Sequence, residues 1–300
     1  MRAWLCLLLG LSLFSGELVA AGNFRVATYN LENYLLEATP GRAAKSEEAR
    51  AKVRELIRAT GADVVALQEV GGVGALMELQ AALKQDGCDF PFWEHVPGGD
   101  TNIQVAVLSR LPLLARRSHT NDTFLLTGRR FRTSRGIAEV DIQAGSNYCF
   151  TLLTCHLKSK LTVPLADDGE MRVEEARLLR QHIDACFERN PQVNLIVMGD
   201  FNDTRDSAAA KMILGRGRRR LVDTRPAERH DPTPANDERR ITWTHHYAKT
   251  DTYTRIDFLL LSSGMVKEWV TNETFVLDAP DWGRASDHRP VVATFVAEDK

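Results

Sequence analysis

The stretch LIVMGDFND (195–203) joins an apolar run of four residues to a glycine and three polar side chains. A short continuous apolar run of this kind is typical of a strand that is buried on both faces. In extended backbone, residues i and i+2 point to the same side, so Asp200 and Asn202 project together while Phe201 packs inward. The stretch therefore predicts a central strand of a sheet that carries polar side chains at its carboxyl end.

Other strand-like runs in the chain meet polar residues in the same way. Asn30 follows the run 26–29, and Gln68 and Glu69 follow the run 64–67. His156 follows the run 152–155, with Lys158 two residues later, and Asp257 follows the run 253–256. A further polar cluster, SDHRP (286–290), precedes the last apolar run. Each cluster alone has an ordinary structural explanation, such as a turn, a helix cap or an ion pair. Together they predict one functional site at the end of a rigid sheet.

Hydrophobic periodicity predicts that strands and helices alternate along the chain. The predicted helices cover 45–60, about 73–84 and about 173–187. The predicted strands cover 24–30, 63–67, 103–108, 136–142, 148–157, 194–198, 241–243, 254–261, 274–277 and 290–296. Three polar segments, 115–135, 160–171 and 215–240, are interpreted as surface loops. Because none is long enough for a domain linker, we expect a single α/β domain over 22–300.

Composition excludes several classes of protein. The chain has 300 residues, of which 44% are hydrophobic and 26% charged, with a formal net charge of -2. These values are typical of a globular protein and exclude a disordered, collagen-like or coiled-coil chain. Because there is no global positive field, a polyanionic substrate must be held by local groups or by a metal ion.

Residues 1–21 have the pattern of a secretory signal peptide. Arg2 precedes an apolar stretch at 3–14, and Ala20 and Ala21 supply small residues for cleavage. The apolar stretch is too short to span a bilayer, so we expect no stable membrane anchor. We therefore expect the protein to be secreted or periplasmic.

An exported chain can form disulfides, and four cysteines lie after the signal segment. They are Cys88, Cys149, Cys155 and Cys186. Cys149 and Cys155 lie too far apart on one predicted strand to bridge each other. Buried free cysteines are an alternative at least as good as two bridges.

The polar clusters also form a set of motifs: YNLEN (29–33), LQE (67–69), HLKSK (156–160), GDFND (199–203), RIDFLLL (255–261) and SDHRPV (286–291). This set resembles the endonuclease/exonuclease/phosphatase superfamily, which includes DNase I, exonuclease III-type repair enzymes, neutral sphingomyelinases and inositol polyphosphate 5-phosphatases. The resemblance extends over about 23–297. It implies a DNase I-like four-layer α/β sandwich, in which two packed mixed β-sheets are flanked by helices. It also implies a Mg²⁺-dependent site at one end that hydrolyses phosphoesters.

The resemblance implies roles for particular residues. Glu69 matches the metal ligand of the family, with Asn30 beside it and Asp287 near the metal. Asp200 and Asn202 match the residues that activate and position the attacking water. Asp257 matches the carboxylate that orients a histidine, and His288 matches that histidine. His156 matches the histidine of the DNase and sphingomyelinase branches. The repair-endonuclease branch has a tyrosine and an asparagine near that strand end. This sequence departs from that pattern, which argues against a role in DNA repair.

Elementary chemistry supports the same assignment. A phosphodiester is anionic and resists attack, so the site needs a hard cation held by oxygen ligands, which suits Mg²⁺, with Mn²⁺ or Ca²⁺ as alternatives. Lys158 shares a strand face with His156 and is a candidate substrate-binding residue. Arg135 is a second candidate, although it and the nearby arginines at 129, 130 and 132 also fit a solvated strand face.

Three functions compete at this point. The favoured one is an extracytoplasmic, metal-dependent endonuclease or exonuclease acting on nucleic acid. The second is a phospholipid hydrolase of the sphingomyelinase type or a small phosphoester phosphatase. The third is a non-catalytic binding module, which the complete set of site residues disfavours. The sequence contains no evident amphipathic membrane helix or long aromatic hairpin, which favours nucleic acid, and it leaves the oligomeric state open.

Overall fold

The structure is a computed structural model and describes residues 22–161, 166–228 and 243–300. The predicted signal peptide at 1–21 lies outside the described residues, and so do the first two positions of the predicted strand 241–243.

Helices and strands alternate through most of the described chain. The helices are α1 (Glu47–Thr60), α2 (Val73–Gln85), α3 (Asp168–Arg189) and α4 (Ala208–Leu214). The strands are β1 (Asn23–Tyr34), β2 (Val64–Val70), β3 (Phe92–Val96), β4 (Gln104–Ser109), β5 (Leu113–Arg116), β6 (Thr123–Leu126), β7 (Arg129–Arg132), β8 (Ala138–Gln143), β9 (Cys149–His156), β10 (Leu195–Asp200), β11 (Val222–Asp223), β12 (Ala227–Glu228), β13 (His245–Tyr247), β14 (Thr252–Thr254), β15 (Asp257–Leu261), β16 (Trp269–Val276) and β17 (Val291–Val296). The three predicted helices are confirmed. α3 begins earlier than its periodicity predicts, because the Asp167 side chain caps it by accepting a hydrogen bond from the Glu170 N–H.

Two large sheets organise these strands. One has seven strands in the order β12-β16-β17-β1-β2-β4-β3, and the other has six in the order β11-β15-β10-β9-β8-β5. Each sheet is mixed: β1 is parallel to β2 and antiparallel to β17, and β10 is parallel to β9 and antiparallel to β15. The parallel pairs align the carboxyl ends of β1 with β2 and of β9 with β10. Polar residues that follow those strands consequently gather at one end of each sheet.

Alternating side chains build three apolar layers. Val26 of β1 and Ile196 of β10 lie in the core between the two sheets. Their neighbours face outward: Ala27 packs in the layer beneath α1 and α2, and Val197 packs in the layer beneath α3 and α4. This alternation is the period of two expected for strands covered on both faces. The four-layer sandwich, helices on sheet on sheet on helices, is therefore confirmed.

The loop interpretation of 115–135 was wrong, because the segment contains the hairpin of β6 and β7. Its two-residue turn is Thr127 and Gly128, both at positive φ, 49° and 75°. Such turns match the twist of the flanking strands. The sequence does not predict this hairpin, because β7 consists mainly of exposed arginines and has no apolar face.

Other boundaries also differ from the predictions. The predicted strand 254–261 is two strands, since β14 ends at Thr254 and β15 begins at Asp257. The predicted loop 215–240 contains the short strands β11 and β12. β3 and β13 were not predicted, and the described residue of 241–243, Trp243, lies outside any strand.

Within 22–161, 166–228 and 243–300 every cysteine is free, and those at 88, 155 and 186 are buried while Cys149 is exposed. The same ranges contain no helix with the length and apolar character needed to cross a bilayer.

Candidate active site

Three neighbouring strands of the six-stranded sheet each bring one polar side chain to the same level. Asp200 at the end of β10 is paired with His156 of β9 on one side and with Asp257 of β15 on the other. Gly199 makes this close pairing possible. Its φ is +136°, and a Cβ built there would lie 2.1 Å from the Cys155 carbonyl oxygen.

The seven-stranded sheet delivers its polar residues through irregularities in its ladder. The register shifts after Asn30 in β1 and between Leu67 and Val70 in β2. Glu69 has φ 61° and Glu32 has φ 46°, a left-handed conformation that is unfavourable for residues other than glycine. Such conformations persist where the surrounding structure enforces them, and they are frequent at functional sites as well as in turns. Here they turn carboxylates toward the end of the sheet.

Side chains from both sheets meet around Asp200. The Asn30 side-chain amide donates from Nδ2 to Asp200 Oδ2 over 3.0 Å, and the same Nδ2 lies 3.5 Å from Glu69 Oε1. His156 Nε2 lies 3.4 Å from Asp200 Oδ2 and 3.9 Å from Glu69 Oε1. The Asn202 backbone N–H donates to Asp200 Oδ1 over 2.7 Å. The structure therefore brings Asn30, Glu69, His156, Asp200 and Asn202 together.

Asp257 and His288 form a buried pair at the same place. His288 Nδ1 lies 2.8 Å from Asp257 Oδ2, and His288 Nε2 lies 3.8 Å from Asp200 Oδ2. Burial alone would lower the pKa of His288, but the carboxylates of Asp257 and Asp200 outweigh it and raise this pKa to about 10. The imidazole is therefore cationic at neutral pH, with Nε2 directed toward Asp200.

Asp200 Oδ2 and His156 Nε2 lie 3.4 Å apart, and both groups have shifted pKa values. Burial raises the pKa of Asp200 to about 7, although the positive charge of His288 opposes the shift. A carboxylate with a pKa near neutrality is suited to accept a proton from water. Burial, reinforced by the positive charge of Arg135, holds the pKa of His156 well below its usual value, so His156 is neutral.

An acidic pocket lies beside these groups and fits a divalent cation. The Asp287 N–H donates to Glu32 Oε2 over 3.1 Å, which brings the two acidic residues together. Burial and the negative charges of Asp287 and Glu69 raise the pKa of Glu32, and Lys45 opposes them. Asp287 also lies 3.5 Å from His245 Nε2 and 3.8 Å from His288 Nε2, so Lys45 and these two rings face the three carboxylates. Carboxylate oxygens are the ligands that hard cations prefer. Glu69 and Asp287 would hold such an ion, with Asn30 beside them.

The two candidate substrate-binding residues lie in different surroundings. Arg135 is buried, and its Nη2 lies 3.8 Å from Asp100 Oδ2. Its charge acts on His156, which places it at the edge of the site. The Lys158 ammonium donates to the carbonyls of Ser159 and Leu161, at 2.9 and 2.6 Å, so in this structure it is directed at backbone rather than at Asp200.

A model of the endonuclease/exonuclease/phosphatase family matches residues 27–288, which span all of these side chains. The chain belongs to this family. Its members are hydrolases that act on phosphoester bonds. No curated protein sequence matches the chain.

Solved structures of the family share the fold at low sequence identity. The catalytic domain of human Nocturnin with bound sulfate is 16% identical with a TM-score of 0.64, covering 92% of this chain and 95% of that one. Sphingomyelinase C from Streptomyces griseocarneus is 20% identical with a TM-score of 0.62, covering 91% and 99%. Truncated TDP2 from Caenorhabditis elegans is 15% identical with a TM-score of 0.60, covering 92% and 98%. At these identities the likeness establishes the fold alone.

Sequence reasoning missed several residues of this family member's site. His245 of β13 stacks near His288, with ring centroids 4.5 Å apart, and its Nε2 lies 3.5 Å from Asp287 Oδ2. Buried Thr244 accepts the Asp257 N–H at its hydroxyl over 3.1 Å. Ser286 Oγ donates to the Asn30 carbonyl over 2.8 Å and accepts the His288 N–H over 3.0 Å. Two features of the sequence could have indicated these residues: the pair of histidines at 245–246 and the serine of SDHRP.

Proposed function

We propose that the protein is an extracytoplasmic, Mg²⁺-dependent phosphodiesterase that hydrolyses nucleic acid. The observation that carries the proposal is the convergence on Asp200 of a buried cationic His288, a neutral His156 and the acidic pocket at Glu69. A group able to accept a proton and a group able to donate one thus lie beside a place for a cation. This is the combination that water attack on an anionic phosphorus requires.

Each residue has a defined part in the proposed reaction. Asp200 takes a proton from the attacking water as the water oxygen bonds to phosphorus, and the Asn202 N–H holds the Asp200 carboxylate in position. The bond between phosphorus and the leaving oxygen breaks, and the leaving oxygen takes up a proton from solvent. His288 donates from Nε2 to a phosphate oxygen whose negative charge grows in the transition state, and Asp257 keeps that imidazole charged and oriented. A Mg²⁺ ion held by Glu69, Asp287 and Asn30 would neutralise phosphate charge.

Local positive charge supports a polyanionic substrate despite the net charge of -2. Strand β7 presents exposed Arg129, Arg130 and Arg132, and the chain then runs to Arg135, whose charge reaches His156. Arginines on a segment that leads toward the site can follow a nucleic-acid backbone.

A substrate panel tests the proposal. Purified protein is assayed with DNA, RNA, sphingomyelin vesicles, inositol phosphates and bis-p-nitrophenyl phosphate, each with Mg²⁺, Mn²⁺, Ca²⁺ or EDTA. We expect hydrolysis of DNA or RNA that needs a divalent cation and is lost in Asp200→Asn. Hydrolysis of sphingomyelin or inositol phosphates without nucleic acid would replace the proposed substrate by the phospholipid or phosphatase alternative. Failure to hydrolyse any member would favour the non-catalytic module.

A further inference from the structure

A second cluster of metal-ligand side chains lies where the β6–β7 hairpin meets α3. His119 and Asp122 stand in the segment that leads into β6, and His182 stands on α3. Ligand atoms of these three residues all lie within 4.8 Å of one another. They are two imidazoles and one carboxylate from two separate elements.

The backbone holds each of the three residues in place. His119 forms a bridge with Ile137, in which the two residues exchange N–H to carbonyl bonds of 2.8 and 3.0 Å. The Asp122 carbonyl accepts the Thr133 N–H over 3.0 Å and so closes the base of the hairpin. His182 lies inside the 22-residue helix α3. The backbone therefore already brings the three side chains together, and the side chains would turn to direct their ligand atoms at an ion.

The side chains are packed together and also reach solvent. The rings of His119 and His182 stack with centroids 3.5 Å apart and planes 14° apart. His182 Nε2 lies 2.6 Å from Asp122 Oδ2, and the three side chains are 19–22% exposed. An ion could thus enter from solvent without unfolding either element.

A carboxylate outside the cluster orients one of the histidines. His119 Nε2 lies 2.9 Å from Glu139 Oε2, so Nδ1 is the nitrogen left for an ion. A histidine that binds a metal through one nitrogen usually has its other nitrogen bonded to a carboxylate or carbonyl. Asp122 Oδ2, which lies 2.6 Å from His182 Nε2, supplies the oxygen ligand of the cluster.

We propose that His119, Asp122 and His182 form a Zn²⁺ site, separate from the acidic pocket at Glu69. Two imidazole nitrogens and one carboxylate oxygen suit Zn²⁺, whereas Mg²⁺ and Ca²⁺ prefer oxygen ligands alone. The ion would take the place of the proton shared by His182 and Asp122. It would also tie the arginine-bearing hairpin to α3.

Zinc titration of the purified full chain tests the site. Calorimetry is performed with Zn²⁺ in a large excess of Mg²⁺, so that Mg²⁺ occupies any hard-cation site. We expect a Zn²⁺ site in the wild type whose affinity is at least about 100-fold lower in His119→Gln and in His182→Gln, since each loses a direct ligand. Zn²⁺ should raise the melting temperature of the wild type and not that of His182→Gln.

The control is His246→Gln, which removes another histidine paired with an aspartate, Asp251 at 3.0 Å. Among the described residues, His246 belongs to no cluster of three metal-ligand side chains. This variant should bind Zn²⁺ as the wild type does. Circular dichroism in EDTA checks folding, and Asp122→Asn, which preserves side-chain size, replaces any histidine variant that fails to fold. Unchanged zinc affinity in the folded cluster variants, or no binding in the wild type, would overturn the proposal.

Discussion

Asp200 is the residue at which the two sheets meet. Asn30 and His288 approach its carboxylate from the side of the seven-stranded sheet, while His156 and Asp257 flank it on its own sheet. Burial of a carboxylate costs free energy, and its partners mainly offset that cost. The convergence therefore adds little to the stability of the fold. We therefore expect its main effect to be on reactivity.

Substitution of the proton-transfer residues tests that expectation. Asp200→Asn keeps the shape but removes the proton acceptor, and His288→Ala removes the donor, so each should lower kcat by about 10²–10⁴. The measurement is steady-state hydrolysis of bis-p-nitrophenyl phosphate at saturating metal. Asp203→Asn is the control, because Asp203 pairs with Arg172 over 3.1 Å rather than with Asp200. Near-normal turnover in either active-site variant would contradict the mechanism.

Glu69 gives a separate prediction about metal. Glu69→Gln removes one charged oxygen ligand from a site that offers few, so a higher Mg²⁺ concentration should be needed for half-maximal activity, while activity at saturating Mg²⁺ falls less. Glu273→Gln, at a half-buried ion pair with Arg25, is the matched control. The metal dependence of activity is measured after EDTA treatment. An unchanged requirement in Glu69→Gln, or wild-type activity that persists in EDTA, would exclude this assignment.

At the scale of elements, the approach of β9 to β10 places His156 opposite Asp200, and Gly199 permits it. A Cβ at Gly199 would lie 2.1 Å from the Cys155 carbonyl oxygen, in backbone at φ +136°. Gly199→Ala should therefore lower the free energy of unfolding by roughly 3 kcal/mol or more, through overpacking and strain. Gly74→Ala in α2, where a Cβ meets nothing within 4 Å, should be neutral or stabilising by up to about 1 kcal/mol. Urea unfolding measures both, and equal stabilities would refute the explanation.

The elements also differ in how well sequence predicts them. Strands such as β10 are covered on both faces, so an apolar run marks them, and the residue after the run marks the end of the sheet. The β6–β7 hairpin projects with polar side chains, so its sequence lacks that mark. Glu32 and Glu69 lie at irregularities of the sheet, where they adopt positive φ against the intrinsic preference of glutamate. A turn with positive φ is usually marked in the sequence by glycine, and these positions carry no such mark. Motifs could therefore indicate Glu69 but not that Glu32 and His245 join the site.

At the scale of the whole molecule, charge is distributed unevenly rather than in excess. The net charge is -2, yet arginines cluster on β7 and carboxylates gather at Glu69, Glu32 and Asp287. Under the proposed function, this charge distribution would attract a polyanion locally and hold a cation beside the reacting phosphate. Binding to nucleic acid should consequently weaken as salt screens the arginine contacts.

Export is the last prediction, and it belongs to the whole chain. The start of the sequence predicts secretion with cleavage, on the evidence of Arg2, the apolar stretch 3–14 and the small residues Ala20 and Ala21. The mature protein should therefore begin near Ala21 or Gly22. A phosphodiesterase released outside the cytoplasm can degrade environmental nucleic acid without access to the nucleic acid of the producing cell. The measurement is N-terminal sequencing of protein recovered from separated cell fractions, with Arg2→Glu as a variant that weakens the positive start of the signal. A protein that keeps Met1 and stays in the cytoplasm would exclude export and return an intracellular substrate to consideration.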